Sequence, residues 1–326
     1  MATLKQPKLA LTWAGQDVSE DLSAFVEEFT FTDSIEGGRD EITLRLNNKD
    51  GRFNNEWFPD YGDLIEPVII SDSGRWALGK YAIDKVAPRF NPSVFVVSAL
   101  AQEINRDALE KVQSRAFANT SLHAVVGTLA GETGLNPNVD GQDQNLKRLD
   151  MRQESAHQLL QRLSKQYGYY YAIKGDLLLF LSKPPVTDVA IDIKQDPRLK
   201  AASFEINPRK AYAKATIQFY DTQQKKLITH TETADGIPGD KTLKLYDIAN
   251  DISDAQHKCL TQLKAQNKAA GGTGTVTLTG STIDAGSTIK LNNAGKLPEN
   301  WLAEKVTTTL NSTTGWTTRI NLKVKE

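Results

Sequence analysis

Along the first hundred residues apolar positions recur at every second place, the period of a strand that buries one face and wets the other. Leu9, Leu11 and Trp13 alternate before an Ala14-Gly15 turn, and Phe25, Phe29 and Phe31 open the next run. Ile42, Leu44 and Leu46 alternate with Thr43, Arg45 and Asn47 ahead of a Lys49-Asp50-Gly51 turn. Val68 to Ile70, Tyr81 to Val86 and Val94 to Leu100 bring the set to about six strands. A closed or nearly closed antiparallel barrel is the simplest arrangement for that number.

The period then changes to 3.6. Leu122, Val125, Val126 and Leu129 keep helical spacing, with Thr120 or Ser121 available as the N-cap and Gly134 at the C-terminal end. Ala156, Leu159, Leu160, Leu163 and Tyr167 repeat the stripe up to Gly168. Tyr169 to Ile173 and Leu177 to Leu181 flank Lys174-Gly175-Asp176, a hairpin signal, and Lys183-Pro184-Pro185 marks a linker.

A third helical stripe, Ile252, Ala255, Cys259, Leu260 and Leu263, predicts a helix over about 252–268 with Ser253 or Asp251 as its cap, stopped by Gly271, Gly272 and Gly274. The period returns to two beyond it. Val276 and Leu278 alternate with threonines, Ile289 and Leu291 lie between Gly280, Gly286 and Gly295, and Val306, Thr308 and Leu310 precede Ile320, Leu322 and Val324. The chain is therefore read as mainly β with an α+β centre: residues 1–105 a first barrel, 106–189 two helices and a hairpin, and 190–326 a second all-strand region carrying one helix. No internal sequence repeat is evident.

The 326 residues suffice for two or three cores, and the formal net charge of −1 gives no bulk attraction to nucleic acid or an anionic membrane. The charge is unevenly spread. Residues 1–105 carry 10 Lys+Arg and 17 Asp+Glu, 106–189 carry 10 and 9, and 190–326 carry 19 and 14, giving balances of −7, +1 and +5. In a ring of copies the acidic region of one could lie beside the basic region of the next and steer assembly. Absence of a signal-like N-terminus and of any apolar run near ~18 residues predicts manufacture in a cytoplasm, with no membrane partner.

Candidate chemistry is sparse. His123, His157, His230 and His257 lack metal-ligand spacing, and His157 is expected on a helix surface. There is no Gly-x-Ser-x-Gly elbow. Gly271 to Gly274 follow a helix and precede a strand, the reverse of a phosphate loop, and Gly295-Lys296 is followed by Leu297. Asp50 sits in a solvated turn rather than a calcium loop. The pairs Glu27-Glu28 and Asp40-Glu41 point to opposite strand faces, so neither flanks one bond as glycosidase carboxylates do. The single Cys259 is read as a buried apolar residue. Trp13, Trp57, Trp76, Trp301 and Trp316 are expected as core plugs or subunit contacts before sugar platforms. The tract Tyr212 to Tyr220 is too weakly basic to hold single-stranded nucleic acid, and no basic recognition helix is present. No catalytic, cofactor or metal residue is assigned.

Three colinear stretches carry a resemblance. GSTIDAGSTIKL (280–291), then Gly295-Lys296, EKVTTTL and GWTTRINLKVK, is similar to the C-terminal barrel of the phage late control D family, the baseplate hub proteins of contractile tails. Near the N-terminus, Asp33, Gly37 and Asp40 lead into ITLRLNNKDGRFNNEWFPDYGDLIEPVII (42–70), and NLKRLDMRQESAHQLLQRLSKQYGYYYAIKGDLLLF (145–180) looks like the family's middle region. The resemblance implies two tube-type antiparallel β-barrel domains linked by a helix-hairpin domain. It also implies a non-enzymatic homotrimer whose pseudo-sixfold ring joins a tail tube protein to a central spike protein. Baseplate wedge and tape-measure proteins are further implied partners, and the particle's baseplate the location. Some relatives carry a lysozyme domain or an iron-sulfur cluster; one cysteine cannot build the cluster, and no block of residues remains for the domain. The rival readings are a β-rich carbohydrate-binding module and a cell-wall hydrolase.

Overall fold

The computed structural model describes residues 7–35, 40–60, 62–72, 74–101, 106–183, 187–206, 211–221, 224–237, 239–247 and 249–325. Gly37 and the Pro184-Pro185 linker lie outside them. The first region holds β1 (Lys8–Trp13), β2 (Gln16–Asp17), α1 (Ser19–Ser23), β3 (Val26–Ser34), β4 (Glu41–Asn47), β5 (Leu64–Ser71), β6 (Gly74–Ala77), β7 (Tyr81–Arg89) and β8 (Val94–Ala101). The predicted alternation is real: Ile42, Leu44 and Leu46 are all buried on one face of β4, and Gly51 takes the left-handed conformation its turn requires.

The middle region comprises α2 (Arg106–Glu110), β9 (Gln113–Ser121), α3 (Leu122–Thr133), β10 (Asn136–Val139), β11 (Asn145–Glu154), α4 (Ala156–Tyr167), β12 (Tyr170–Lys174) and β13 (Leu177–Leu181). Its helices begin and end on local chemistry. Ser121 Oγ accepts the Ala124 amide, Ser155 and Gln158 form a reciprocal capping box, and Gly134 and Gly168 close α3 and α4 in the left-handed conformation. The β9–β11 ribbon and the parallel β10–β13 pair add to the predicted hairpin.

The last region runs β14 (Asp188–Asp192), β15 (Leu199–Glu205), β16 (Lys214–Asp221), β17 (Lys226–Thr233), β18 (Thr242–Leu245), α5 (Ile252–Gly271), β19 (Thr273–Thr279), β20 (Thr288–Asn292), β21 (Asn300–Asn311) and β22 (Gly315–Val324). Asp251 caps α5. The region builds two cores. One lies among Val276, Ile289, Trp301 and Ile320. The other, where Ile217 meets Ala255, Cys259 and Leu263, belongs to a lobe of β16, β17, β18 and α5 placed between β15 and β19.

Strand order exposes a duplication. In the first region the hydrogen-bonded run is β3-β4-β8-β7-β5-β1; in the last it is β15-β19-β22-β21-β20-β14. Position for position the runs agree, down to their irregularities. The β3/β4 bulge between Val26 and Glu28 matches the β15/β19 bulge between Leu199 and Ala201, and the β7/β8 bulge between Ile83 and Lys85 matches the β21/β22 bulge between Ala303 and Lys305. Tyr81 and Trp301, equivalent by this register, are both fully buried and each donates to the carbonyl three residues back, at Leu78 (2.9 Å) and Pro298 (2.7 Å). The one difference in sense is at the run's end, where β1 and β5 are antiparallel and β14 and β20 parallel.

The expected closed barrels are not found. Among the described residues no pairing joins β3 back to β1 or β15 back to β14, and all these strands belong to one open 14-stranded sheet. For the first run the reason is visible at β3, whose outer edge is taken by β21 of the other run.

Candidate functional site

The feature that organises the molecule is the seam between the two runs. β3 and β21 pair antiparallel from Glu28 opposite Asn311 to Ser34 opposite Lys305. Asn311 Nδ2 donates to Glu28 Oε2 at 2.9 Å, and the Ile35 amide donates to the Glu304 carbonyl at 3.1 Å. Leu310 and Trp316 of the last region complete the first region's core, Leu310 beside Phe29 and Trp316 stacked on Trp76 with centroids 6.5 Å apart. Thr308 is fully buried in the seam, and its Oγ1 finds no hydrogen-bond partner.

At one end of the seam three regions meet on a single lysine. Lys174, closing strand β12, donates to Asp33 Oδ1 at 2.6 Å and to both oxygens of Asp40 at 2.8 and 2.7 Å. Asp33 Oδ2 in turn accepts the Ala285 amide of the last region at 2.8 Å. Both carboxylates are buried, whereas Lys174 keeps 36% of its side chain exposed. Burial and the neighbouring Asp33 push the Asp40 carboxyl up to about 7, against the pull of Lys174. Burial alone would lower the Lys174 ammonium; Asp40 and Asp33 outweigh it and raise it. Burial also raises Asp284, and Tyr81 is raised by burial and by the two aspartates. A cavity of about 330 Å³ lies here, lined by Phe31, Asp33, Asp40, Trp76, Lys174 and Asp284 among others. With the ammonium bonded to both oxygens of Asp40, the arrangement is a clamp on three chain segments, one whose strength depends on pH.

The other weighed residues are dispersed. His123 and His157 each meet a tyrosine hydroxyl, His230 meets Glu232 and His257 the Tyr167 carbonyl. Among the described residues no group of three or more His, Cys, Asp or Glu side chains could hold a metal ion. Glu27 pairs with Arg45 while Glu28 turns to Asn311. Asp50 is an exposed turn residue paired with Arg52. Cys259 is buried, its thiol pushed up to about 11 by burial. Trp301 and Trp316 are buried plugs, and Trp57 lies under the Arg52 guanidinium. Gly272 ends α5, and the bare Cα of Gly274 leaves the room that the Phe204 ring fills. The sequence brings Asp33 forward only as part of a resembling stretch, Asp40 as part of that stretch and of the rejected Asp40-Glu41 pair, and Lys174 only as a hairpin residue. Their meeting spans more than 130 positions.

No protein-family model matches the chain. Over 253 residues it is 23% identical to a protein of Escherichia phage 186 named as a probable baseplate hub protein. That match takes in 74% of this chain and 63% of the relative, so the chain spans less than two thirds of that protein's length. Among solved structures it superposes on the 43 kDa tail protein of prophage MuSo2 from Shewanella oneidensis, with TM-score 0.73, 16% identity, and 97% and 98% of the two chains covered. The chain shares the fold of a prophage tail protein. A tail protein from Neisseria meningitidis MC58 gives TM-score 0.70 at 12% identity, covering 98% of this chain and 97% of that one.

Proposed function

We propose that the chain is a baseplate hub of a contractile tail or a related injection device. Three copies form a ring in which each contributes two matched six-strand units, so that a threefold object offers near-sixfold edges. One side of the ring meets the tail tube protein and the other the central spike protein, with wedge proteins around it and a hole for the tape-measure chain or DNA. The units are residues 1–105 and 190–326, and the α+β region 106–189 braces the first through Lys174 on Asp33 and Asp40 and the second through Tyr167 on Asp254. The work is geometric, and no catalytic step is assigned to it.

The observation that carries this reading is the matched pair of six-strand runs joined edge to edge within one chain. A duplicated unit is what reconciles two rotational orders, and head-to-tail contacts that close give a ring where open ones give a filament. The named similarity to a phage hub protein and the two tail-protein folds support it. The test is co-purification of the full chain with candidate tube and spike proteins, followed by negative-stain microscopy. Rings capped by spike support the hub; a chain that binds neither protein contradicts it.

A further inference from the structure

A cleft of about 830 Å³ lies where the middle region meets the last one, away from the Lys174 clamp. Its walls follow from local periods in the sequence. On α4, Gln161, Ser164, Lys165 and Gly168 recur at helical spacing along one stripe, and on α5 His257, Thr261 and Lys264 do the same. Lys323 and Lys325, two apart at the end of β22, share one side of that strand, and Lys183 follows β13.

The cleft is preformed. The Gln262 side-chain amide donates to the Lys165 carbonyl at 2.9 Å, and His257 Nε2 donates to the Tyr167 carbonyl at 3.2 Å, so α4 and α5 are bonded directly to each other. Gly168 allows the close approach, because a Cβ there would lie 2.8 Å from the Thr261 methyl. Behind the same two helices, Asp254 accepts from both the Tyr167 hydroxyl and the Lys258 ammonium. Walls fixed in advance leave less to be ordered when a ligand arrives.

Charge identifies the class of ligand. Lys165, Lys183, Lys264, Lys323 and Lys325 line the cleft, and among the described residues no Asp or Glu lines it. Lys323 is paired with Glu304 at 3.1 Å, while Lys325 donates to the neutral hydroxyl of Thr288. Lys165, Lys183 and Lys264 have no ion pair among the described residues. Cations of one sign around a concave, partly desolvated space create a potential that an anion relieves.

The remaining side chains decide which anion. Tyr167, Tyr169 and Tyr171 are buried and Tyr170 is half-buried, so no ring stands free for a base to stack on, as single-stranded nucleic acid requires. Gln142, Gln161, Gln262 and Gln266 supply side-chain amides, which can both donate to and accept from a peptide backbone. We propose that the cleft binds an acidic peptide segment of a separate protein, with its carboxylates on Lys165, Lys183 and Lys264 and its backbone along the glutamines. One chain holds every residue of the site, so it does not depend on the ring.

The probe is fluorescein-labelled hexaglutamate added to the full chain and read by anisotropy. Saturable binding is expected at ~50 mM salt and at least ~10-fold weaker binding at ~300 mM, because exposed charges are screened. Lys165→Glu with Lys264→Glu should weaken it at least ~10-fold at an unchanged melting temperature. Lys8→Glu with Lys49→Glu makes the same change of charge on exposed residues of the first region and should leave binding within ~2-fold. Lys165→Gln with Lys264→Gln removes attraction without adding repulsion, and its loss should be intermediate. A photoreactive hexaglutamate should attach within α4, α5 or residues 323–325. No saturable binding, equal losses in the two charge-reversed pairs, or attachment elsewhere overturns the site. Hexathymidylate that binds as tightly as the peptide overturns the choice of a peptide. Hexaglutamate that dissociates multimers of the chain would make the occupant a second copy, and so overturns the separate partner.

Discussion

The two strand runs are alike where they form sheet and unlike where they connect. Six residues of sequence separate β3 from β4, whereas between the corresponding β15 and β19 the chain builds a separate lobe with its own core. Equivalent aromatic positions hold Tyr81 and Trp301, bonded to backbone in the same way. The difference teaches that the shared part is constrained by edges and bulges, which set how units join, while the insertion is free to differ between the two faces of an assembly. The proposed hub, meeting a tube on one side and a spike on the other, would use both properties.

The strongest way to break the comparison is at its aromatic plugs. Trp301→Ala empties a fully buried site and is expected to lower stability by ~3–5 kcal/mol in denaturant unfolding. Tyr81→Phe, which removes only the bond to Leu78, should cost ~1 kcal/mol. A Trp301→Ala loss no larger than that of Tyr81→Phe would contradict the plug role of Trp301.

Next in size is the clamp. Lys174→Met leaves Asp33 and Asp40 buried without their counter-ion. A buried pair broken on one side loses ~3–5 kcal/mol, and because Lys174 is partly exposed we expect ~2 kcal/mol near pH 8. The loss should shrink toward pH 5, where Asp40 holds its proton. For the unmodified protein the sign follows from the raised carboxyl of Asp40. Its contribution is fully present below about pH 4 and is lost as pH rises through about 7, because only the folded state holds the proton in that window. The raised Lys174 contributes below its ordinary value and is lost only at higher, alkaline pH. Asp40→Asn should flatten the dependence between pH 4 and 7, as read by unfolding at a series of pH values. An unchanged slope would assign it to other groups.

The smallest effect sharpens the seam itself. Thr308→Val removes a buried hydroxyl that has no partner and keeps the side-chain shape, so it is expected to stabilise by ~1 kcal/mol. Destabilisation would place a hydrogen bond at that oxygen.

Much of the local structure was legible in the residues. Period-two runs such as Ile42, Leu44 and Leu46, and capped stripes such as Ser155 to Gly168, are decided by neighbours a few positions apart. The strands in 226–245 and the β9–β11 ribbon were not legible because their half-buried positions hold polar residues, Gln113 and Arg115 in β9 and His230 and Glu232 in β17, which weakens the alternation. The duplication left no sequence repeat: Leu44 corresponds to Val276, Phe29 to Ala202 and Tyr81 to Trp301, so volume and chemistry changed while the register stayed. The Asp33–Asp40–Lys174 clamp is wholly non-local and needed the fold. So did the failure of the runs to close into barrels, since which strand takes the edge of β3 is a matter of tertiary competition.

The most direct measurement of the central claim is native mass spectrometry of the unmodified full chain. Twin units that form a threefold ring predict a dominant species of three times the 36.0 kDa chain, about 108 kDa. A chain that remains at 36.0 kDa at all concentrations, or that assembles as a twofold multiple, would contradict it.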